Sequence, residues 1–264
     1  MADKENDTAQ LREYKVIKSN DLIQKTRFQL SVQEQKIILF MISKIKPDDE
    51  EFITLNFGIQ EFCRVCGIDE TNGANYKYIK ETVKALSDKS AWITLDDGTE
   101  VLVRWINKAW INKKSGILKL RLDDDMKPYL LQLQERFTQY ELLYTLAMKS
   151  QYSIRLYEIL KSYEYKRKYI FDIDDLKNRL SAEHYERFPD FKRYVLNTAL
   201  REINTLSDLK VDYEIIKVGR RFARLEFSIT LKKDMNERLQ TWANIDEIIN
   251  ISREAFSEKE SGEK

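Results

Sequence analysis

PDFKRYVLNTALREINTLSDLKVDYEIIKVGRRFARLEFSI, residues 189–229, reads as a helix followed by a hairpin. Taken as helical from Phe191 to Asn204 at 100° per residue, it lines one side with Val195, Ala199, Ile203 and Leu206, while Arg193, Asn197, Arg201 and Asn204 project from the other. Pro189 suits the helix start, where a missing N–H has no helical partner to lose. Val211, Tyr213 and Ile215 then alternate, Gly219 interrupts, and Ala223, Leu225, Phe227 and Ile229 alternate again, the pattern of two strands joined by a turn. Arg220, Arg221 and Arg224 follow that turn at once, so the hairpin tip is strongly basic.

Upstream, SQYSIRLYEILKSY (150–163) has the apolar spacing of a helix, with Ile154, Leu156, Tyr157, Ile159 and Leu160. YIFDIDDLKNRLS (169–181) reads as a short strand and then a helix that Asp172 caps. The same order occurs once before. SVQEQKIILFMISKI (31–45) opens with a capping box, Ser31 and Glu34, and FITLNFGIQEFCRVCG (52–67) supplies a strand and a second helix ending at Gly67. Phe57, Ile59 and Phe62 fall in the order of Phe171, Ile173 and Leu176. YKYIKETVKALSD (76–88) is the third helix. Strand-like alternation follows at Ile93 and Leu95, at Val101, Val103 and Trp105, and at Leu118, Leu120 and Leu122. Lys113, Lys114, Ser115 and Gly116 form the tip within WINKAWINKKSGILKL (105–120).

Helix, strand, helix, helix, hairpin is the winged-helix arrangement, in which the third helix enters a major groove and the hairpin reaches the neighbouring backbone. The expected fold is therefore α+β, with two tandem winged-helix domains at residues 15–135 and 136–233. A disordered tail (1–14) precedes them and a C-terminal helix and tail (234–264) follows, with Trp242, Ile245, Ile248 and Ile249 on its apolar side and disorder from Glu258. Arg193, Asn197 and Arg201 suit base readout, because arginine bridges guanine O6 and N7 and asparagine bridges adenine N6 and N7. Lys192, Arg220, Arg221 and Arg224 suit phosphates. In the first domain Lys77, Lys80 and Lys84 are point charges for backbone contact, with Glu81 among them weakening the field. Lys113 and Lys114 fit either phosphate contact or a solvated hairpin whose lysines discourage edge pairing. Trp105 and Trp110 fit either a dimer surface or a core under the hairpin.

Composition narrows the field. With 45 basic against 44 acidic residues, and 34% of the chain charged, a nucleic-acid surface has to come from local clustering. A hydrophobic content of 42% over 264 residues suffices for two modest cores. No apolar run approaches the roughly 18 residues that span a bilayer, and the polar start MADKENDTAQ is unlike a signal peptide, so a cytoplasmic protein is expected. Cys63, Cys66 and the single histidine, His184, cannot supply a four-ligand zinc site; the cysteines read as packing on a helix face and His184 as an exposed loop residue. No glycine leads into a phosphate-loop Lys-Ser or Lys-Thr. Asp123, Asp124 and Asp125 precede MKPYLLQLQ, where carboxylates cap a starting helix, a better fit than a magnesium site. Neither enzymatic activity nor a metal or cofactor is expected.

KSNDLIQ (18–24), SVQEQKIILFMISKI, YSIRLYEILKSY with FDIDDLKNRL, and FKRYVLNTALREIN leading to LEFSITLKK resemble the plasmid replication initiator (Rep) family, which binds iterons through two winged-helix domains. The resemblance covers roughly residues 15–233. It implies a plasmid-associated bacterial initiator that binds directly repeated sites in double-stranded origin DNA, promotes opening of adjacent AT-rich DNA, and recruits the host initiator and replicative helicase. It also implies that the second domain is the main reader, through Lys192, Arg193, Asn197, Arg201 and the arginine wing. The first would add DNA contacts and a dimer interface, monomers initiating and dimers repressing their own promoter. Rolling-circle initiators, with paired metal-binding histidines, are unlike this chain. The residues by themselves reach two DNA-binding winged-helix domains, leaving open a dedicated transcriptional repressor or a protein-interaction scaffold.

Overall fold

The computed structural model describes residues 14–46, 48–66 and 75–261; Gly67, the expected helix end, and the first thirteen residues lie outside them. Strand β1 (Lys15–Ser19) runs into α1 (Asn20–Gln24), with the Ser19 hydroxyl accepting from the Leu22 N–H, and then into β2 (Thr26–Arg27). Helix α2 (Val32–Ser43) starts at the capping box: the Ser31 N–H donates to the Glu34 carboxylate at 2.7 Å and the Glu34 N–H to the Ser31 hydroxyl at 3.3 Å. Strand β3 (Leu55–Gly58), α3 (Ile59–Cys66) and α4 (Asn75–Ser87) complete the first helical set.

Two hairpins follow where one was expected. β4 (Ser90–Thr94) and β5 (Glu100–Arg104) form the first, β6 (Ile106–Asn112) and β7 (Ile117–Leu122) the second. The first joins β2 in a separate sheet, ordered β2-β4-β5, with Ala91, Ile93 and Val103 facing the core. The second is the wing, in a sheet ordered β3-β7-β6. Trp105, between β5 and β6, is 1% exposed and meets Phe28 edge-on at 5.1 Å, so it belongs to the core and not to a surface. Trp110 remains exposed.

The Asp123 carboxylate accepts from the Asp125 N–H at 3.1 Å, and Asp124 pairs with Arg121 and Lys127 ahead of α5 (Lys127–Leu130), so the acidic cluster caps and pairs. Strand β8 (Phe137–Glu141) lies antiparallel to β1, and α6 (Leu143–Leu146) leads on. The second repeat is α7 (Gln151–Ser162), β9 (Lys168–Asp172), α8 (Ile173–Arg179) capped by Asp172, and α9 (Phe188–Phe191). One π-helical turn, Lys192–Leu196, then α10 (Asn197–Leu206), β10 (Leu209–Val218) and β11 (Arg221–Leu231) complete it. Its sheet is ordered β10-β11-β9, the arrangement of β6-β7-β3, so the duplication read in the sequence exists in space.

Helix α11 (Met235–Ser261) packs on α10, burying Ile245 and setting Trp242, Ile248 and Ile249 against the core. It ends at Ser261. No helix among the described residues is long and apolar enough to cross a membrane.

Helix α7 is buried on all sides from Ile154 to Leu160, including Arg155 and Glu158. It is the first helix of the second repeat and also the floor of the first. Lys18 Nζ meets Glu158 Oε1 at 2.6 Å, and the Tyr140 hydroxyl donates to the same oxygen at 2.5 Å. Arg155 donates to the Thr26 carbonyl at 2.7 Å and lies 4.7 Å over the Phe28 ring. Gln24 donates to the Ser162 hydroxyl, and the Ser181 hydroxyl to the Phe28 carbonyl. Burial pulls Lys18 below the ordinary lysine value, against the opposing pull of the Glu158 carboxylate, and pushes Tyr140 well up.

Candidate nucleic-acid interface

The second wing turns at Gly219 and Arg220, with Val218 paired to Arg221 across the hairpin. Gly219 has φ +61°, the left-handed conformation that a two-residue hairpin turn demands at this position and that glycine adopts without strain. Ile216 opposes Arg224 while Lys217 opposes Phe222, so Ala223 is an extra, bulged residue. That one residue returns Phe222 to the face of Leu225 and Phe227; without it Phe222 would share the solvent side with Arg224. Phe222 stacks on Phe188, the first residue of α9, at 4.6 Å. The wing is thereby fastened to the end of the third helix that carries Lys192 and Arg193.

On the third helix Val195, Leu196, Ala199, Leu200, Ile203 and Leu206 are buried, and Lys192, Arg193, Asn197 and Arg201 are exposed. Arg193, Asn197 and Arg201, four residues apart, make one strip. The side chains of Lys192, Asn197, Arg201, Arg220 and Arg224 form no hydrogen bond or ion pair among the described residues. Arg193 stands 5.3 Å from the Tyr194 ring. Arg221 differs from its neighbours, since it meets Asp174 of α8 at 2.5 Å, an exposed pair that ties the wing to the second helix.

Two departures from an ideal helical wheel matter. Asn204 leaves the polar face: its amide donates to the Val211 carbonyl at 2.9 Å and accepts from the Val211 N–H at 2.7 Å, locking helix to hairpin. The π turn sets Tyr194, half exposed, in a stack with Tyr185 at 5.8 Å. Tyr194 was not singled out in the sequence, although an aromatic beside Arg193 on a polar helix face was a visible signal. His184 is exposed beside Tyr185, as expected of a loop residue.

The first repeat is arranged likewise but its charge is partly spent. Lys77 lies 3.9 Å from Glu81 and Lys84 3.4 Å from Asp88, weak exposed pairs along α4, while Lys80 has no ion pair among the described residues. At the wing tip Gly116 has φ +63°, and the N–H groups of Lys114 and Ser115 donate to the Asn112 side chain. Lys113 lies 5.8 Å over the ring of Tyr76, at the start of α4. Wing tip and third-helix start thus meet in both repeats. No group of three or more His, Cys, Asp or Glu that could hold a metal exists among the described residues, and Cys63 is buried.

Residues 15–161 match the family described as initiator replication protein, WH1, and residues 172–229 the initiator Rep protein, WH2. A replication initiation protein of Escherichia coli is 27% identical over 238 residues, covering 86% of this chain and 72% of that one. The PI protein of Escherichia coli is 29% identical over 152 residues, 50% of this chain and 49% of the other. The crystal structure of Pi initiator protein in complex with iteron DNA superposes with a TM-score of 0.68, at 23% identity, over 84% of this chain and 99% of that one, a likeness of fold.

Proposed function

Since the chain belongs to the initiator replication protein family and carries both of its winged-helix regions, we propose that it initiates plasmid replication by binding directly repeated origin sites in duplex DNA. The observation that carries this reading is the exposed strip of Arg193, Asn197 and Arg201, without an ion pair among the described residues, with an arginine wing fastened beside it by Phe222 and Phe188. Arg193, Asn197 and Arg201 read base edges, and Lys192, Arg220, Arg221 and Arg224 hold phosphates. Residues 136–233 form the main reader. Residues 15–135 add backbone contacts through Lys77, Lys80, Lys84, Lys113 and Lys114, and self-association through the exposed face around Trp110. Opening of adjacent DNA, recruitment of host initiator and helicase in a bacterial cytoplasm, and repression of its own promoter belong to the same reading. The complex that the structurally similar Pi initiator forms with iteron DNA supports it.

Fluorescence anisotropy of the purified protein tests this, at two salt concentrations, on a duplex carrying repeats from its own replicon and on a scrambled duplex. Tight, repeat-selective binding is expected. Weak binding that is equal on both and vanishes with salt points to a protein scaffold, and selective binding to a single site without melting points to a repressor. Arg220→Ala is expected to lower the slope of log K against log salt by about 0.9, one phosphate contact, while repeat selectivity persists.

A further inference from the structure

Helix α10 ends with carbonyls that need partners from outside the helix. The Ser207 N–H and hydroxyl return to the Ile203 carbonyl at 3.1 and 2.8 Å. The next ones are met from further along the chain. Lys232 Nζ donates to the Asn204 carbonyl at 2.6 Å, to the Ser207 carbonyl at 2.8 Å and to the Thr241 hydroxyl at 3.0 Å. Asn244 donates to the Thr205 carbonyl at 3.3 Å. Thr241, buried, and Asn244 both lie on α11, outside the winged-helix pattern.

An ammonium has three donors, and all three of Lys232's are engaged, which leaves it one position. A cation at a helix C-terminus also complements the helix dipole, and its partial burial strengthens these charge-assisted bonds. Asn204 already fixes the helix against β10; Lys232 and Asn244 add a second set of ties at its C-terminal carbonyls. Base readout by Arg193, Asn197 and Arg201 depends on axial placement to within about 0.5 Å.

We propose that Lys232 is a positioning residue for the reading helix, coupling α11 to α10 through Thr241, with Asn244 alongside, so that α11 is a working part of the DNA-reading unit. The proposal rests on the function proposed above. Full-length Lys232→Met, Lys232→Arg and Asn244→Ala are compared with the parent protein by anisotropy on the repeat and scrambled duplexes. Amide hydrogen exchange over residues 197–206 is followed in the DNA-free protein.

Lys232→Met is expected to lose about tenfold in repeat-over-scrambled affinity, with the salt slope unchanged and faster exchange over 197–206. Lys232→Arg should retain most of the discrimination, and Asn244→Ala should shift it in the same direction by less. Full discrimination with unchanged exchange in Lys232→Met overturns the proposal. So does an equal loss on both duplexes, which marks general instability, or a slope lower by about 0.9, which makes Lys232 a phosphate contact. If the parent protein does not discriminate between the duplexes, the function proposed above fails, and the exchange data alone decide whether Lys232 holds the helix.

Discussion

Glu158→Ala is expected to lower the free energy of unfolding by about 3–5 kcal/mol, read as a fall in the urea midpoint. Lys18 and Glu158 are both almost fully buried, 2.6 Å apart, on elements 140 residues distant in the chain. Removing the carboxylate strands an ammonium in a low-dielectric interior and takes the acceptor from the Tyr140 hydroxyl. The pair as a whole is worth far less than its rupture costs, because both charges pay desolvation to be there. The double substitution Lys18→Met with Glu158→Leu should therefore recover most of the loss. A drop below about 1 kcal/mol in Glu158→Ala, the range of exposed pairs, would show that water reaches the site.

Arg193→Ala should weaken binding to the repeat duplex by about 2 kcal/mol, roughly thirtyfold, and leave the scrambled duplex nearly unchanged. The guanidinium is exposed, near the Tyr194 ring and free of any carboxylate among the described residues, so its fork of donors is available to a base edge. Arg193→Lys should not restore the loss, because an ammonium cannot bridge guanine O6 and N7 in a planar, bidentate way. Equal losses on both duplexes in the anisotropy assay would make Arg193 a phosphate contact and sink its role as a reader.

Much of the fold was legible because the apolar period changes from helical to alternating at definable points, and because Ser31, Asp172 and Gly219 mark helix starts and a turn that only certain residues make well. The resemblance to the initiator family carried through to the family match over both winged-helix regions. Strand partners were not legible. Alternation at Ile93 and Val103 announces strands but does not say that they join Thr26 and Arg27 in a sheet of their own. For the same reason Trp105 and Trp110 looked alike, although neighbouring strands bury one and expose the other. The exposed side of the second repeat's third helix followed from its wheel. Asn204 and Arg221 did not, because what occupies them is a strand backbone and a carboxylate 47 residues away. Lys232 was hidden likewise, since its value lies in carbonyls at the end of another element.

Helix α7 packs into both repeats at once, and the polar contacts from Lys18, Gln24 and Thr26 reach it from the first. The two third helices are therefore joined through one shared block of packing. A duplex engaged by both must offer its two contact patches at a single rotational phase, and B-form DNA turns once in about 10 base pairs. While that packing holds, the block sets a distance as well as an angle, so whole turns are neither added nor dropped. On the function proposed above, the length of a readable repeat would in this way be set by the packing around one buried helix, far from the strip of Arg193, Asn197 and Arg201.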